Sequence, residues 1–335
     1  MQLGAAEMLL GGVTTVADHY FHMDRGAAAI EAVGMRGLLG WAMFGSQGQA
    51  ALDQTKRFIQ EWQGAANGRI KTIVAPHAPY TCDDDFLRAS ASLAHHLGVA
   101  LHIHASENKA QTDASLAKRG ITPIEVLERV GILDGGTIIA HACGVMPDDI
   151  ERMAAANVGV ATCPKTYLKL GMDITPVPYL RQAGIPVGLG TDGAVSNNTL
   201  DLFEAMRLTA MLQKDRARDP EVLPIAEALA IATRDSARVI GMAGEIGSVE
   251  AGYLADLIVV DLSGLHHQPL HSITTSLVYN AMASDVRDVI VDGQVVVRDR
   301  QLLTVDTAQV VENVNEGMLR LAQRVPNKRI QTYNP

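Results

Sequence analysis

Residues 101–107 read Leu-His-Ile-His-Ala-Ser-Glu, two imidazoles and a carboxylate at β-type spacing. On a strand, His102 and His104 share one face while Leu101, Ile103 and Ala105 share the other. Glu107 follows where the strand should give way to a loop. Such a run can hold a metal ion beside a general acid/base, or it can be a partly buried strand with satisfied histidines and a solvated acid. Further candidates lie in "APH" (His77), "IIAHAC" (His141) and "GTDG" (Asp192). Singly, His141 reads as a core histidine and Asp192 as a loop-capping acid. Together, imidazoles and a carboxylate at the ends of separate strands describe convergent, rigid metal ligands.

The elements that must position these groups are short apolar or β-branched runs at 14–18, 36–43, 70–77, 99–106, 136–142, 158–164 and 185–192. Helix-like segments at 83–97, 123–130, 148–156, 175–183 and 200–214 separate or follow them. This alternation predicts parallel strands in a (β/α)8 barrel or a doubly wound sheet. Polar residues at several strand ends favour the barrel, since a doubly wound sheet would gather its site at one switch point. No glycine-rich dinucleotide fingerprint follows any strand. Beyond residue 245, "GEIGSVEAGYLADLIVVDL" and "DVRDVIVDGQVVVRDRQLL" read as strands of a small β-domain, and 306–325 reads as a helix. The expected division is therefore a barrel over 1–245, small-domain strands over 246–305, and a helix and tail over 306–335.

A chain of 335 residues, 47% hydrophobic but only 4% aromatic and with 30 glycines, suits helices packed closely on a sheet. Its net charge of −9 is spread without blocks, which argues against nucleic acid or an anionic membrane as partner and for a small molecule. Cys82, Cys143 and Cys163 form no CxxC pair, so a reducing, cytoplasmic location is expected. The N-terminal residues show neither a basic signal-peptide start nor an apolar run long enough for a membrane span.

The runs "APHAPYTC", "HIHASE", "IIAHAC", "LGTDGAVSNNTLDLFEAMRLTAMLQK" and "GEIGSVEAGYLADLIVVD" resemble, in this order, the metal-dependent amidohydrolase superfamily, in its aminohydrolase and chlorohydrolase branch. The resemblance covers nearly the whole chain. It implies an amidohydrolase-type (β/α)8 barrel with the remnant of a small β-sandwich. It also implies one divalent metal, zinc before iron, held by His104, His141 and Asp192. Glu107 becomes the proton shuttle, Asp192 a second catalytic group, and His77 a substrate contact; His102 has no family role and is assigned to packing. The implied reaction is hydrolytic deamination of an amino-substituted N-heteroaromatic ring by a metal-activated water. The alternatives are dechlorination of a triazine-like ring on the same scaffold, or a truncated, non-catalytic homologue. The expected partner is a small heterocycle, with self-association allowed.

Three departures from the family pattern stand out. Its His-x-His pair on strand one is absent, and only seven barrel strands are found, so the first strand is expected to be missing from an N-terminally truncated chain. The arginine of nucleoside-type members near the end of strand three is replaced by Trp41, which is therefore expected at the substrate. The stretches His141–Gly144 and Thr162–Tyr167 also depart from the usual pocket motifs. No lysine closes the strand that ends at His77, which favours one metal over two.

Overall fold

The computed structural model describes residues 1–324. Seven parallel strands form one sheet in sequence order: β1 (Thr15–Tyr20), β2 (Arg36–Met43), β3 (Ile70–Pro76), β4 (Leu101–Ala105), β5 (Thr137–His141), β6 (Val158–Thr162) and β7 (Val187–Leu189). Every neighbouring pair is parallel, and among the described residues β1 pairs only with β2 and β7 only with β6. The sheet is the curled wall of a (β/α) barrel that is open between β1 and β7.

Side-chain alternation sorts residues between the two faces. Leu38, Ile73 and Ile138 meet Val239 in a small inner cluster, with Ala17 and Ala161 packed against it. Leu39, Met43, Val74, Leu101, Ile103, Ile139, Val160 and Val187 join the main core with the surrounding helices. His102 and His104 therefore occupy the inner face of β4, as their spacing predicts.

The helices start and stop where local chemistry dictates. Asp83 accepts the Phe86 N–H to cap the helix Asp84–Leu97, and Gly98 ends it in the left-handed region. Asn108 caps the helix Lys109–Arg119 by accepting the Gln111 N–H. No described helix is long and apolar enough to cross a membrane.

The C-terminal strands β8 (Leu257–Val260), β9 (Val286–Val291), β10 (Gln294–Arg298) and β11 (Gln301–Leu302) make one antiparallel sheet in the order β11-β10-β9-β8. Among the described residues this is a single sheet; the expected remnant of a two-layer sandwich is seen only as that layer. Asp292 and Gly293, both at positive φ, turn the β9–β10 hairpin. The closing helix spans Thr307–Arg324, and residues 325–335 of the expected tail lie outside the described residues.

A buried ion pair ties this sheet to the barrel. Arg36, at the start of β2, donates from Nε and Nη2 to the two carboxylate oxygens of Asp256, both at 2.8 Å, and from Nη2 to Asp292 at 3.1 Å. The side chains of Arg36 and Asp256 are only 4% and 2% exposed, so the fork is shielded from water.

Candidate active site

The C-terminal ends of β1, β3, β4 and β5 bring histidines together. The His104 ring lies 5.0 Å from His77, 5.0 Å from His19 and 5.5 Å from His141, centroid to centroid. His102, one pleat deeper, lies 5.1 Å from His19 and 6.1 Å from His104.

His104 is oriented by the backbone. The His77 carbonyl oxygen is 2.9 Å from Nδ1 of His104 and also accepts its backbone N–H at 3.0 Å. A carbonyl can only accept, so Nδ1 carries the proton and Nε2 presents its lone pair to the cluster. This is how metal-binding imidazoles are commonly held. His77 is fixed in turn by Thr81 Oγ1, 2.9 Å from its Nδ1, and by stacking on Phe44 at 4.7 Å.

His141 reaches the cluster by leaving strand geometry. By register it pairs with Ala105, on the outward face. Its φ of 79°, followed by 49° at Ala142, turns the chain, and the ring lies against that of His104. Thr175 Oγ1 donates to the His141 carbonyl at 2.7 Å and secures the turn. Ser106 (φ 47°) and Asp192 (φ 61°) also adopt the left-handed region after β4 and β7. Backbone strain of this kind gathers at functional sites.

Glu107 sits at the rim. Its carboxylate accepts from Gln111 Nε2 at 3.1 Å, while Gln111 Oε1 accepts the Glu107 N–H at 2.9 Å, so the Asn108 cap also places the partner of Glu107. The loop after β5 crosses closely here. A Cβ on Gly144 would lie 2.6 Å from the Asn108 carbonyl carbon, so only glycine fits, and the Gly144 N–H donates to the Ser106 carbonyl at 2.8 Å.

Burial without partners marks the interior. Both ring nitrogens of His19 and the Nδ1 atoms of His102 and His141 are buried with no hydrogen-bond partner. Burial, with the neighbouring histidines adding to it, pushes His102 down to about 3. Burial and then His104 bring His141 down to about 4, against an opposing pull from Glu107. Burial, followed by His104, His102 and His77, holds His19 well below its ordinary value. These rings are neutral at pH 7, the state that offers lone pairs to a cation. Burial and then Glu107 raise the Tyr80 hydroxyl, so it stays protonated beside that carboxylate.

Two expected site residues stand apart. Asp192 is exposed, and its Oδ1 accepts the Gly193 N–H at 2.6 Å. Among the described residues, His104, His141 and Asp192 do not gather their ligand atoms within 4.8 Å of one another. Trp41 lies on the outward face of β2, edge-on to Phe58 at 6.0 Å and packed against the main core; the structure does not bring it into the histidine cluster.

His19 was not among the residues singled out from the sequence. The first strand is expected to end at residue 18 but runs to Tyr20, which puts Ala17 and His19 on one face. The signal was the alternation in "TTVADHY".

The donor set suits a metal in part. The half-buried His104 and the buried His141 offer imidazole nitrogens to the cluster, whereas Asp192 must first release the Gly193 N–H.

A curled parallel sheet with imidazoles and a carboxylate at its C-terminal ends is the arrangement in which enzymes of the (β/α)-barrel class assemble their active sites. The Amidohydrolase family profile matches residues 1–296, and the chain belongs to that family. It is 41% identical over 320 residues to a 5-methylthioadenosine/S-adenosylhomocysteine deaminase of Pelotomaculum thermopropionicum, covering 95% of this chain and 74% of the relative. A deaminase of the same description from Desulforudis audaxviator is 41% identical over 325 residues, covering 96% and 76%. Among solved structures, a zinc-bound adenosine deaminase from Xanthomonas campestris superposes with a TM-score of 0.89 at 34% identity, over 96% of this chain and 74% of the other. Zinc-bound atrazine chlorohydrolase from Arthrobacter aurescens gives 0.87 at 26%, over 94% and 75%.

Proposed function

We propose that this protein hydrolyses the exocyclic C–N bond of an amino-substituted N-heteroaromatic ring, releasing ammonia, with an adenine-type ring as the first candidate. The observation that carries this reading is the His104 ring, locked through Nδ1 by the His77 carbonyl, with the His141 ring 5.5 Å away and Glu107 at the adjoining rim. A divalent metal, zinc first and iron second, supplies when bound a water acidic enough to attack a ring carbon at neutral pH.

The chain's own residues do the rest. His104 and His141 hold the ion, and Asp192 completes the set once its carboxylate leaves Gly193. Asp192 accepts the proton lost by the attacking water. Glu107 protonates the ring nitrogen beside the attacked carbon and then the departing amine. His77, stacked on Phe44, lies where it can donate to a ring substituent. Tyr80 and Gln111 keep Glu107 pointed at the rim.

At the seam between β1 and β7 the edges of the sheet have no strand partner among the described residues. Dechlorination is the second reading. Chloride leaves without a proton, so a shuttle at Glu107 favours the amine.

The test is ammonia and chloride release by zinc-loaded protein from 5-methylthioadenosine, S-adenosylhomocysteine, adenosine and atrazine. Ammonia from an adenine-type compound is expected. Chloride from atrazine alone would favour the second reading, and neither product from metal-replete protein would favour a non-catalytic homologue.

A further inference from the structure

Far along the chain from the histidine cluster, His266, His267 and Asp285 each offer one ligand atom, and these atoms lie within 4.8 Å of one another. Among the described residues no other set of three His, Cys, Asp or Glu side chains does so. The histidines belong to the short helix Leu265–His267 after β8, and Asp285 closes the short helix Ala283–Asp285 that leads into β9. The Asp285 Oδ2 atom is 2.9 Å from Nε2 of His266 and 3.2 Å from Nε2 of His267, and it accepts the Met282 N–H at 2.8 Å.

These edges have the size of a metal polyhedron. A tetrahedral zinc with nitrogen and oxygen ligands at about 2.0–2.1 Å keeps its ligand atoms about 3.3 Å apart. The two edges to Asp285 lie within a few tenths of an ångström of that spacing, and the third is below 4.8 Å.

Each ligand is also held from behind. Nδ1 of the buried His267 is 2.6 Å from Ser276 Oγ, so when an ion takes the place of the Asp285 contact, Nδ1 donates to that hydroxyl and Nε2 turns its lone pair to the ion, the outer-shell arrangement of metal-binding histidines. The His266 ring rests over Gly264, where an added Cβ would lie 2.7 Å from Cε1 and 3.0 Å from Nδ1. The His266 carbonyl accepts from Asn280 Nδ2 at 2.7 Å. The His266 ring is partly exposed, which leaves an open side for a water as fourth ligand.

We propose that His266, His267 and Asp285 form a second divalent-metal site of the zinc class, structural in role, that clips the segment after β8 to the entry of β9. On binding, each neutral imidazole moves its proton from Nε2 to Nδ1, and an imidazolium releases one proton to solvent. The ion replaces the two N–H···O contacts to Asp285, so no buried group is left unpaired.

The experiment uses the His104→Ala/His141→Ala chain, which silences the imidazoles of the proposed catalytic site and makes the result independent of that reading. Equilibrium dialysis against zinc with elemental analysis should give one zinc per chain, and zinc should raise the Tm. Adding His266→Ala should weaken zinc binding at least about tenfold and abolish the Tm rise, and Ser276→Ala should weaken it by about tenfold. Because the His266 ring is partly exposed, the far-UV circular dichroism and metal-free Tm of His266→Ala should match the background. No zinc bound by the background chain, or equal binding with and without His266, would overturn the site.

Discussion

The Nδ1 atom of His104 lies 2.9 Å from the carbonyl oxygen of His77, a residue 27 positions earlier at the end of the neighbouring strand. One strand end thus sets the tautomer and aim of the imidazole on the next. The proposed ligand role follows from that aim. His104→Ala and His141→Ala should each lower metal content, read by elemental analysis after loading, and lower turnover with it. His77→Ala, which keeps the carbonyl, should retain metal and lose turnover. Full metal occupancy in His104→Ala would show that the oriented lone pair serves another purpose.

Glu107→Gln keeps the size of the side chain and its acceptor toward Gln111 but removes the titrating proton. If Glu107 carries a proton to the ring, turnover should fall about 100-fold or more at unchanged metal content, the ordinary worth of general acid/base catalysis. Ammonia release and elemental analysis on the same preparation measure both. Turnover within a few-fold of the parent would remove the shuttle role.

Burial of neutral histidines makes the metal-free chain acid-sensitive. His102 at about 3 and His141 at about 4 lie below the ordinary 6.5, so below pH 6.5 the unfolded chain binds protons that the folded chain refuses. Stability is therefore complete above pH 6.5 and falls as pH drops toward 4, by up to about 1.4 kcal/mol per pH unit for each such ring. Urea titrations of chelator-treated protein between pH 7 and 4.5 should show this slope, and His102→Gln should flatten it. A stability constant across that range would mean that these rings are not held neutral.

The Arg36–Asp256 fork lies at the junction of barrel and small sheet. Asp256→Ala leaves a buried guanidinium with only Asp292, and should cost about 3–5 kcal/mol in chemical denaturation. Replacing both partners with apolar residues, Arg36→Met with Asp256→Leu, should recover much of that loss, because no charge is then stranded. A single-variant cost below 1 kcal/mol would place the junction's stability elsewhere.

Much of the fold was legible in local sequence. All seven barrel strands fall within a few residues of their expected places because each carries a short, mainly apolar or β-branched run, and 36–43 coincides with β2. The helix Lys109–Arg119 was harder to see. Of its residues only Thr112 is buried, so it carries no apolar stripe, and its Asn108 cap and closing Gly120 were its only signals. His19 was missed because its strand runs two residues beyond the apolar run, where Asp18 and Tyr20 blur the alternation.

Sequence alone determined which faces His102 and His104 share, since strand periodicity is a local property, and the ordered motifs sufficed for the family. Tertiary structure decided which groups meet. His141 sits at an outward register position and reaches the cluster only through its left-handed turn, held by Thr175 from 34 residues further on. Trp41 faces the helices because Phe58 and the main core lie there. Asp192 is exposed and accepts the N–H of its own neighbour Gly193, which spacing alone could not show. Spacing gives the direction of a side chain relative to its own strand, whereas the distance between groups on different strands depends on curl, register and backbone turns, which are set by the packing of the whole sheet.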